Sequence, residues 1–216
     1  MKRIIAPSFL ASNFLQLASE VAMVNESAAE WLHLDIMDGR FVPNISFGLP
    51  VVEHIASATK KFCDVHLMIV EPEKYITDFK KAGADQLCVH IEACPHLHRV
   101  LEQIHDQDMK AGIAVNPHTP IDFLKDIIQH ADVVNLMSVN PGFGGQAFIE
   151  HTYTKIKELR KMIDDKGLDT LIQIDGGVTQ QNARTLFDTG ANVLVAGSSV
   201  FKAADPKRAI ADLLDA

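Results

Sequence analysis

Short runs of β-branched and other apolar residues alternate, from one end of the chain to the other, with segments in which apolar residues recur every three or four positions. The runs RIIAPS, WLHLDI, CDVHLM, QLCVHI, AGIAVN, DVVNLM, LIQID and NVLVAG read as eight strands. Between them, spacings such as Leu97, Val100, Leu101 and Ile104, or Tyr153, Ile156, Leu159 and Met162, set apolar groups on one face of a helix. Such a helix can cover a parallel sheet. Four strand approaches share a pattern: AAEWLHLD, GADQLCVH, HADVVNLM and GANVLVAG each follow a helical segment, carry Ala and then an acid or amide, and turn apolar. The even-numbered strands therefore read as one repeated unit.

Eight βα units in 216 residues, with no Pro/Gly/Ser-rich linker, predict an α/β fold: a closed (β/α)8 TIM barrel occupying 1–216 as a single domain. The alternative is a doubly wound open sheet, which needs fewer strands and usually a Gly-rich turn after the first. Here the first strand runs into APSFLAS instead.

Composition narrows the ligands. A hydrophobic content of 47% supports a substantial core, while 20 Lys and Arg against 28 Asp and Glu leave no broad basic surface for nucleic acid. An anionic ligand must then be held locally. No apolar run approaches the ~20 residues that span a bilayer, and Pro7 interrupts the apolar start MKRIIAPSFLAS. The expectation is a cytoplasmic protein with no membrane partner. Cys63, Cys88 and Cys94 are an odd number without a CxxC spacing, and read as reduced core residues.

Candidate chemistry gathers at the strand ends, where barrels of this kind carry their sites. His33 and Asp35 are two apart on strand two and so point to the same face. His66 ends strand three and Asp175 ends strand seven. Taken alone, a strand histidine is more often a hydrogen-bonded core group. Two imidazoles and two carboxylates converging from three strands instead suit one divalent ion, Zn²⁺, Fe²⁺ or Mn²⁺. His90, also at a strand end, and His96 and His98, in the following CPHLH, read as solvated or capping histidines where a helix-start loop begins. Asp38 is expected to brace the loop MDGRFVPN, with Gly39 supplying a turn. NPGFGGQ after strand six, DGG at the end of strand seven and GSS after strand eight form a second constellation. Glycines let backbone N–H groups approach an anion, so three such loops on neighbouring strands point to a phosphate. Met37, Met68 and Met137, also at strand ends, read as core filler.

These parts suit a phosphorylated ketose. Removing the proton next to its carbonyl creates an enediolate, whose charge a metal ion stabilises. Two acids on opposite faces, Asp35 and Asp175, predict epimerisation; a single acid moving the proton to the neighbouring carbon would predict aldose–ketose isomerisation.

The chain closely resembles the ribulose-phosphate 3-epimerases over essentially its whole length. The segments that carry the resemblance are IAPSFLAS, HLDIMDGRFVPN, DVHLMIVEP, VHIEACPHLHR, AGIAVNP, MSVNPGFGGQAFI, IDGGV and VAGSSVF, all in the family's order. The resemblance implies metal-dependent interconversion of D-ribulose 5-phosphate and D-xylulose 5-phosphate in the pentose phosphate pathway. It implies His33, Asp35, His66 and Asp175 as metal ligands, with Asp35 accepting and Asp175 donating the proton. It further implies substrate contacts from Ser8, His66, Gly142, Phe143, Gly144, Gly145, Asp175, Gly176, Gly177, Gly197 and Ser198, and a homo-oligomer. The three methionines then move towards the pocket wall. The nearest rival is an epimerase of a six-carbon ketose phosphate such as allulose 6-phosphate. A barrel lyase would call for a D-x-K-x-x-D strand end, which is absent; a non-catalytic phosphate sensor would lack an acid or a ligand, whereas all four positions are filled.

Overall fold

A computed structural model describes residues 2–216. Its eight strands are β1 (Ile4–Pro7), β2 (Trp31–Met37), β3 (Phe62–Met68), β4 (Gln86–His90), β5 (Lys110–Val115), β6 (Val133–Met137), β7 (Leu171–Asp175) and β8 (Val193–Ala196). All the strand pairings are parallel, in one sheet ordered β1-β8-β7-β6-β5-β4-β3-β2. A single parallel bridge between Ser8 and His33 joins β1 to β2 and nearly closes the barrel. All eight strands fall where the apolar runs predict them.

Helices α1 (Leu17–Glu26), α2 (Leu49–Ala58), α3 (Ile76–Lys81), α4 (Leu97–His105), α5 (Thr152–Asp165), α6 (Gln180–Thr189), α7 (Ser198–Phe201) and α8 (Pro206–Leu214) pack outside the sheet. The predicted face of α4, Leu97, Val100, Leu101 and Ile104, is buried. The fifth crossover departs from the expected pattern: two 3-10 turns, Ile121–Leu124 and Ile128–His130, stand in place of a helix. Pro117 and Pro120 both precede the first of these turns, and Pro120 caps it.

The interior of the barrel is divided along its axis. At the strand starts, Ile4, Trp31, Val133 and Val193 form an apolar plug, with the Trp31 and Phe62 rings 4.6 Å apart. Above it the inward positions turn polar and remain buried: His33, Asp35, Asp64, His66, Gln86, His90, Asn135, Gln173 and Asp175. Strand register sets the levels, placing His33 beside Asp64 and Asp35 beside His66.

The repeated acid or amide before the even strands has a structural purpose. Asp85 accepts the N–H of Cys63 at 2.7 Å, Asp132 that of Ala111 at 2.9 Å, and Asn192 that of Ile172 at 3.0 Å. Each ties the start of an even strand to the odd strand before it. Glu30, the fourth member, lies at the β1–β2 seam and pairs with Lys2 at 2.7 Å.

Candidate active site

Asp35 and Asp175 reach the mouth from strands on different sides of β1 and β8, and between them lie two buried imidazoles. His33 Nε2 is 3.2 Å from Asp35 Oδ1 and 3.5 Å from Asp175 Oδ2. His66 Nδ1 is 3.3 Å from Asp35 Oδ1 and 3.2 Å from Asp175 Oδ2. One potential ligand atom from each of the four lies within 4.8 Å of the other three. Asp175 Oδ2 is buried and makes no well-directed hydrogen bond despite its two imidazole neighbours. Two imidazole nitrogens and two carboxylate oxygens gathered this closely form a group able to hold a metal ion.

The electrostatics agree with a positive charge at that point. Burial disfavours the charged form of every member. In His33 the Asp35 and Asp64 carboxylates outweigh burial and hold the imidazole well above its ordinary value. His66 is likewise raised against burial by Asp175 and Asp35. Asp35 and Asp175 are held below the usual carboxylate range, because the two imidazoles overcome burial. The carboxylate charges can be balanced by protons on the imidazoles or by a dication bound to the neutral rings.

Each acid is positioned by its strand and a neighbour. Ser8, at the seam, donates from Oγ to Asp35 Oδ2 at 2.6 Å, so Oδ1 faces the imidazoles and Oδ2 the cleft side. The Asp175 carbonyl accepts the Ser138 N–H at 2.8 Å, and Ser138 Oγ donates to the Gly176 carbonyl at 2.6 Å.

Above the cluster opens a cleft of about 790 Å³, lined by Ser8, Asp35, Asp175, Gly142, Phe143, Gly144, Gly145, Gly176, Gly177, Gly197 and Ser198. The structure therefore brings these predicted residues to one cavity, with His33 and His66 fully buried beside it. Met37, Met68 and Met137 also line it, as pocket wall rather than remote filler. Gly176 has φ +118°, and a Cβ there would lie 2.4 Å from Val139 Cγ2. Only glycine fits that turn. At Gly144, by contrast, nothing stands within 4 Å of the Cβ position, leaving room for a ligand to approach the backbone. Ser199 Oγ is buried without a partner, and Lys202 adds one cation to a lining otherwise poor in basic groups.

Asp38 braces its loop as expected: Oδ1 accepts the N–H groups of Arg40 and Phe41 at 2.8 and 2.9 Å, and Oδ2 that of Val70 at 2.8 Å. Cys63, Cys88 and Cys94 are buried and unbonded. His96 and His98 are exposed, in keeping with the sequence reading. His90 stands at its strand end as expected, but its burial corrects the solvated-or-capping reading. It is the last residue of β4, fully buried, with Nε2 2.9 Å from His66 Nε2 and Nδ1 3.1 Å from Glu92 Oε2. Burial pushes its imidazole down to about 4.

Sequence reasoning also passed over Asp64. Its carboxylate accepts from His33 Nδ1 at 2.7 Å, from Gln173 Nε2 at 2.6 Å and from Gln86 Nε2 at 2.7 Å. A signal was present: Asp64 precedes His66 by two residues, and Gln173 precedes Asp175 by two, which puts each pair on one face.

No helix among the described residues is long and apolar enough to cross a membrane. Among solved structures, a mutant tryptophan synthase α-subunit from Pyrococcus furiosus superposes with a TM-score of 0.73 at 16% identity, covering 100% of this chain and 98% of that one. A 3-hexulose-6-phosphate synthase gives 0.68 at 20% identity, covering 100% and 99%. At such identities the likeness establishes the barrel fold alone. Sequence relatives are much nearer. A ribulose-phosphate 3-epimerase of Synechocystis sp. is 52% identical over 96% of this chain and 91% of its own length. The enzyme of that name from Bacillus subtilis is 49% identical over 97% of each. The chloroplastic ribulose-5-phosphate-3-epimerase of Arabidopsis thaliana is 49% identical over 96% of this chain and 74% of its own. Residues 4–201 match the model of the ribulose-phosphate 3 epimerase family, a span from the first strand to the last residue of α7, and the chain belongs to that family.

Proposed function

We propose that the protein interconverts D-ribulose 5-phosphate and D-xylulose 5-phosphate, with Asp35 and Asp175 as opposed acid and base. The observation that carries the reading is the pairing of two buried carboxylates, from β2 and β7, across two imidazoles at the floor of one cleft. The family and its close relatives supply the substrate class.

His33, Asp35, His66 and Asp175 hold one divalent ion, Zn²⁺, Fe²⁺ or Mn²⁺. That ion supplies Lewis acidity, which lowers the cost of the negative charge that builds on the enediolate. The chain's own residues do the rest. Asp35 takes the C3 proton from one face of the sugar, with Ser8 holding the carboxylate in place through its 2.6 Å hydrogen bond. Asp175 returns a proton to C3 from the other face, which inverts the configuration, and the roles exchange in the reverse direction. The methionine side chains exclude water from the reacting carbon with groups that cannot exchange its proton. The phosphate lies against the glycine loops at Gly142–Gly145, Gly176, Gly177, Gly197 and Ser198, where backbone N–H groups, with Lys202 nearby, meet its charge.

The test is a coupled assay of ribulose 5-phosphate conversion on chelator-stripped protein, with Zn²⁺, Fe²⁺ or Mn²⁺ added back. The expected result is loss of turnover on stripping, recovery with metal, and deuterium at C3 of the product in D2O. Turnover that survives complete stripping overturns the metal role. Faster turnover of allulose 6-phosphate than of the pentose moves the substrate to the six-carbon rival.

A further inference from the structure

The two imidazoles of the cluster are supported in different ways. His33 rests on a carboxylate, with Nδ1 facing Asp64 Oδ2 at 2.7 Å, which leaves Nε2 for the cluster. His66 faces the cluster with the opposite nitrogen, Nδ1, and its Nε2 meets a second imidazole, His90 Nε2, at 2.9 Å. The ring centroids are 5.0 Å apart and the planes differ by 27°. A hydrogen bond plus two ring radii accounts for that separation, so the rings meet edge to edge rather than face to face.

Proton bookkeeping follows from the far end. Glu92 Oε2 lies 3.1 Å from His90 Nδ1, while Glu92 Oε1 accepts the Asn116 N–H at 2.9 Å and the Thr119 hydroxyl. A carboxylate can only accept, so His90 Nδ1 carries a hydrogen. In a neutral ring His90 Nε2 is then an acceptor. The hydrogen shared by the two imidazoles therefore belongs to His66 Nε2, and in a neutral His66 ring Nδ1 is the lone-pair nitrogen, directed at a cation held between it and the Asp35 and Asp175 carboxylates. Each donor in the chain meets one acceptor.

Glu92 is itself anchored. The buried Lys155 donates from Nζ to the carbonyls of Asn116 and Pro117 at 2.8 and 3.2 Å, fixing the turn that binds the carboxylate. Phe41, from the loop after β2, covers His90 with its ring centroid 4.6 Å away.

We infer that His90 and Glu92 are positioning residues, a relay that fixes the tautomer of His66 so that Nδ1 is the metal-ligating nitrogen. This rests on the metal-site reading given above. An outer carboxylate bracing a ligating histidine is a general device, and loss of such a partner typically weakens metal affinity by 10- to 100-fold. In this barrel the carboxylate acts on His66 through an intervening imidazole.

The test measures Co²⁺ affinity by competition with a chromophoric chelator, together with the visible spectrum of the Co²⁺ protein, in the wild type, His90→Gln, Glu92→Gln and the double variant. Affinity should fall about 10- to 100-fold in His90→Gln and less in Glu92→Gln. The double variant should bind no more weakly than His90→Gln alone, because the two act in series. The Co²⁺ spectrum should change in the variants. Wild-type affinity and spectrum in a folded His90→Gln protein overturn the relay, even if the melting temperature drops. A wild type that binds no Co²⁺ overturns the metal-site reading beneath it and the relay with it. A measurement free of substitution reads the tautomers directly: long-range ¹H–¹⁵N correlation on the Zn²⁺-loaded wild type should show His90 protonated at Nδ1 and bare at Nε2. Protonation of His90 at Nε2 overturns the assignment.

Discussion

Carboxylates at the two ends of this barrel face opposite surroundings. At the strand starts, Asp85 and Asp132 accept backbone N–H groups, and Asp132 also meets Lys110 at 2.7 Å and His105 at 2.8 Å. At the mouth, Asp35 and Asp175 are buried, and their close neighbours are imidazoles rather than backbone donors or exposed cations. A carboxylate tied to a neighbouring strand's N–H, and at Asp132 also to Lys110 and His105, holds a fold together. One held between imidazoles beneath an open cleft keeps an oxygen available to a metal ion or a proton. The same side chain is thus mortar at one end and, in the proposed function, reagent at the other, and the neighbours decide which.

The sharpest way to break this comparison is to remove one mouth carboxylate without changing its shape. Asp175→Asn should lower kcat by about 10²- to 10⁴-fold, the usual contribution of a positioned acid or base. Its melting temperature should fall only modestly: burial opposes the Asp175 charge, but His33 and His66 outweigh it and hold the native carboxyl below its ordinary value, a contribution that Asn forgoes while keeping the shape. A coupled assay and a thermal scan on one preparation decide it; an Asn variant that keeps a tenth of its activity removes the two-acid scheme. The converse substitution sits in the plug. Trp31→Ala, at a buried ring packed on Phe62, should cost about 3–5 kcal/mol in urea unfolding. Turnover per folded molecule should be preserved, because the plug lies below the polar layers. A proportionate loss of kcat would show that the two halves of the barrel are coupled.

Legibility followed the same division. Every strand was readable because burial on both faces makes parallel strands near-continuous apolar runs. His33, Asp35, His66 and Asp175 stood out because they interrupt those runs at the ends where a barrel carries its site. Asp64 and Gln173 interrupt them as well, but one layer lower, where a sequence does not tell a supporting partner from a core amide. His90 stands at the strand end where the apolar run places it, but its burial was not legible: the histidines of the following CPHLH are exposed, and nothing in the sequence separates His90 from them. The fifth crossover carries two 3-10 turns where a repeated βα unit leads one to expect a helix. The alternation of acid or amide before the even strands was visible as a repeat. Its reason, the capture of a neighbouring strand's N–H, needs a partner more than 19 residues away in each case.

The smallest expected effect tests the mortar. Asp132→Ala deprives the Ala111 N–H, Lys110 and His105 of a shared acceptor, and should destabilise the fold by about 1–3 kcal/mol at neutral pH while sparing kcat. The effect has a defined pH dependence. Burial raises the Asp132 carboxyl, but Lys110, the Ala111 N–H and His105 outweigh it and hold the folded value below the ordinary 3.8. Between the folded and unfolded values the unfolded chain binds more protons, so stability rises with pH there. The contribution is fully present above the unfolded value and is lost as pH drops through the folded one. Urea unfolding of wild type and Asp132→Ala should therefore give a constant gap from pH 7 to about 5 that narrows below about 4. A gap that instead widened on acidification would mean that the protonated side chain still holds the rim, and that backbone capture, rather than charge, does the work there.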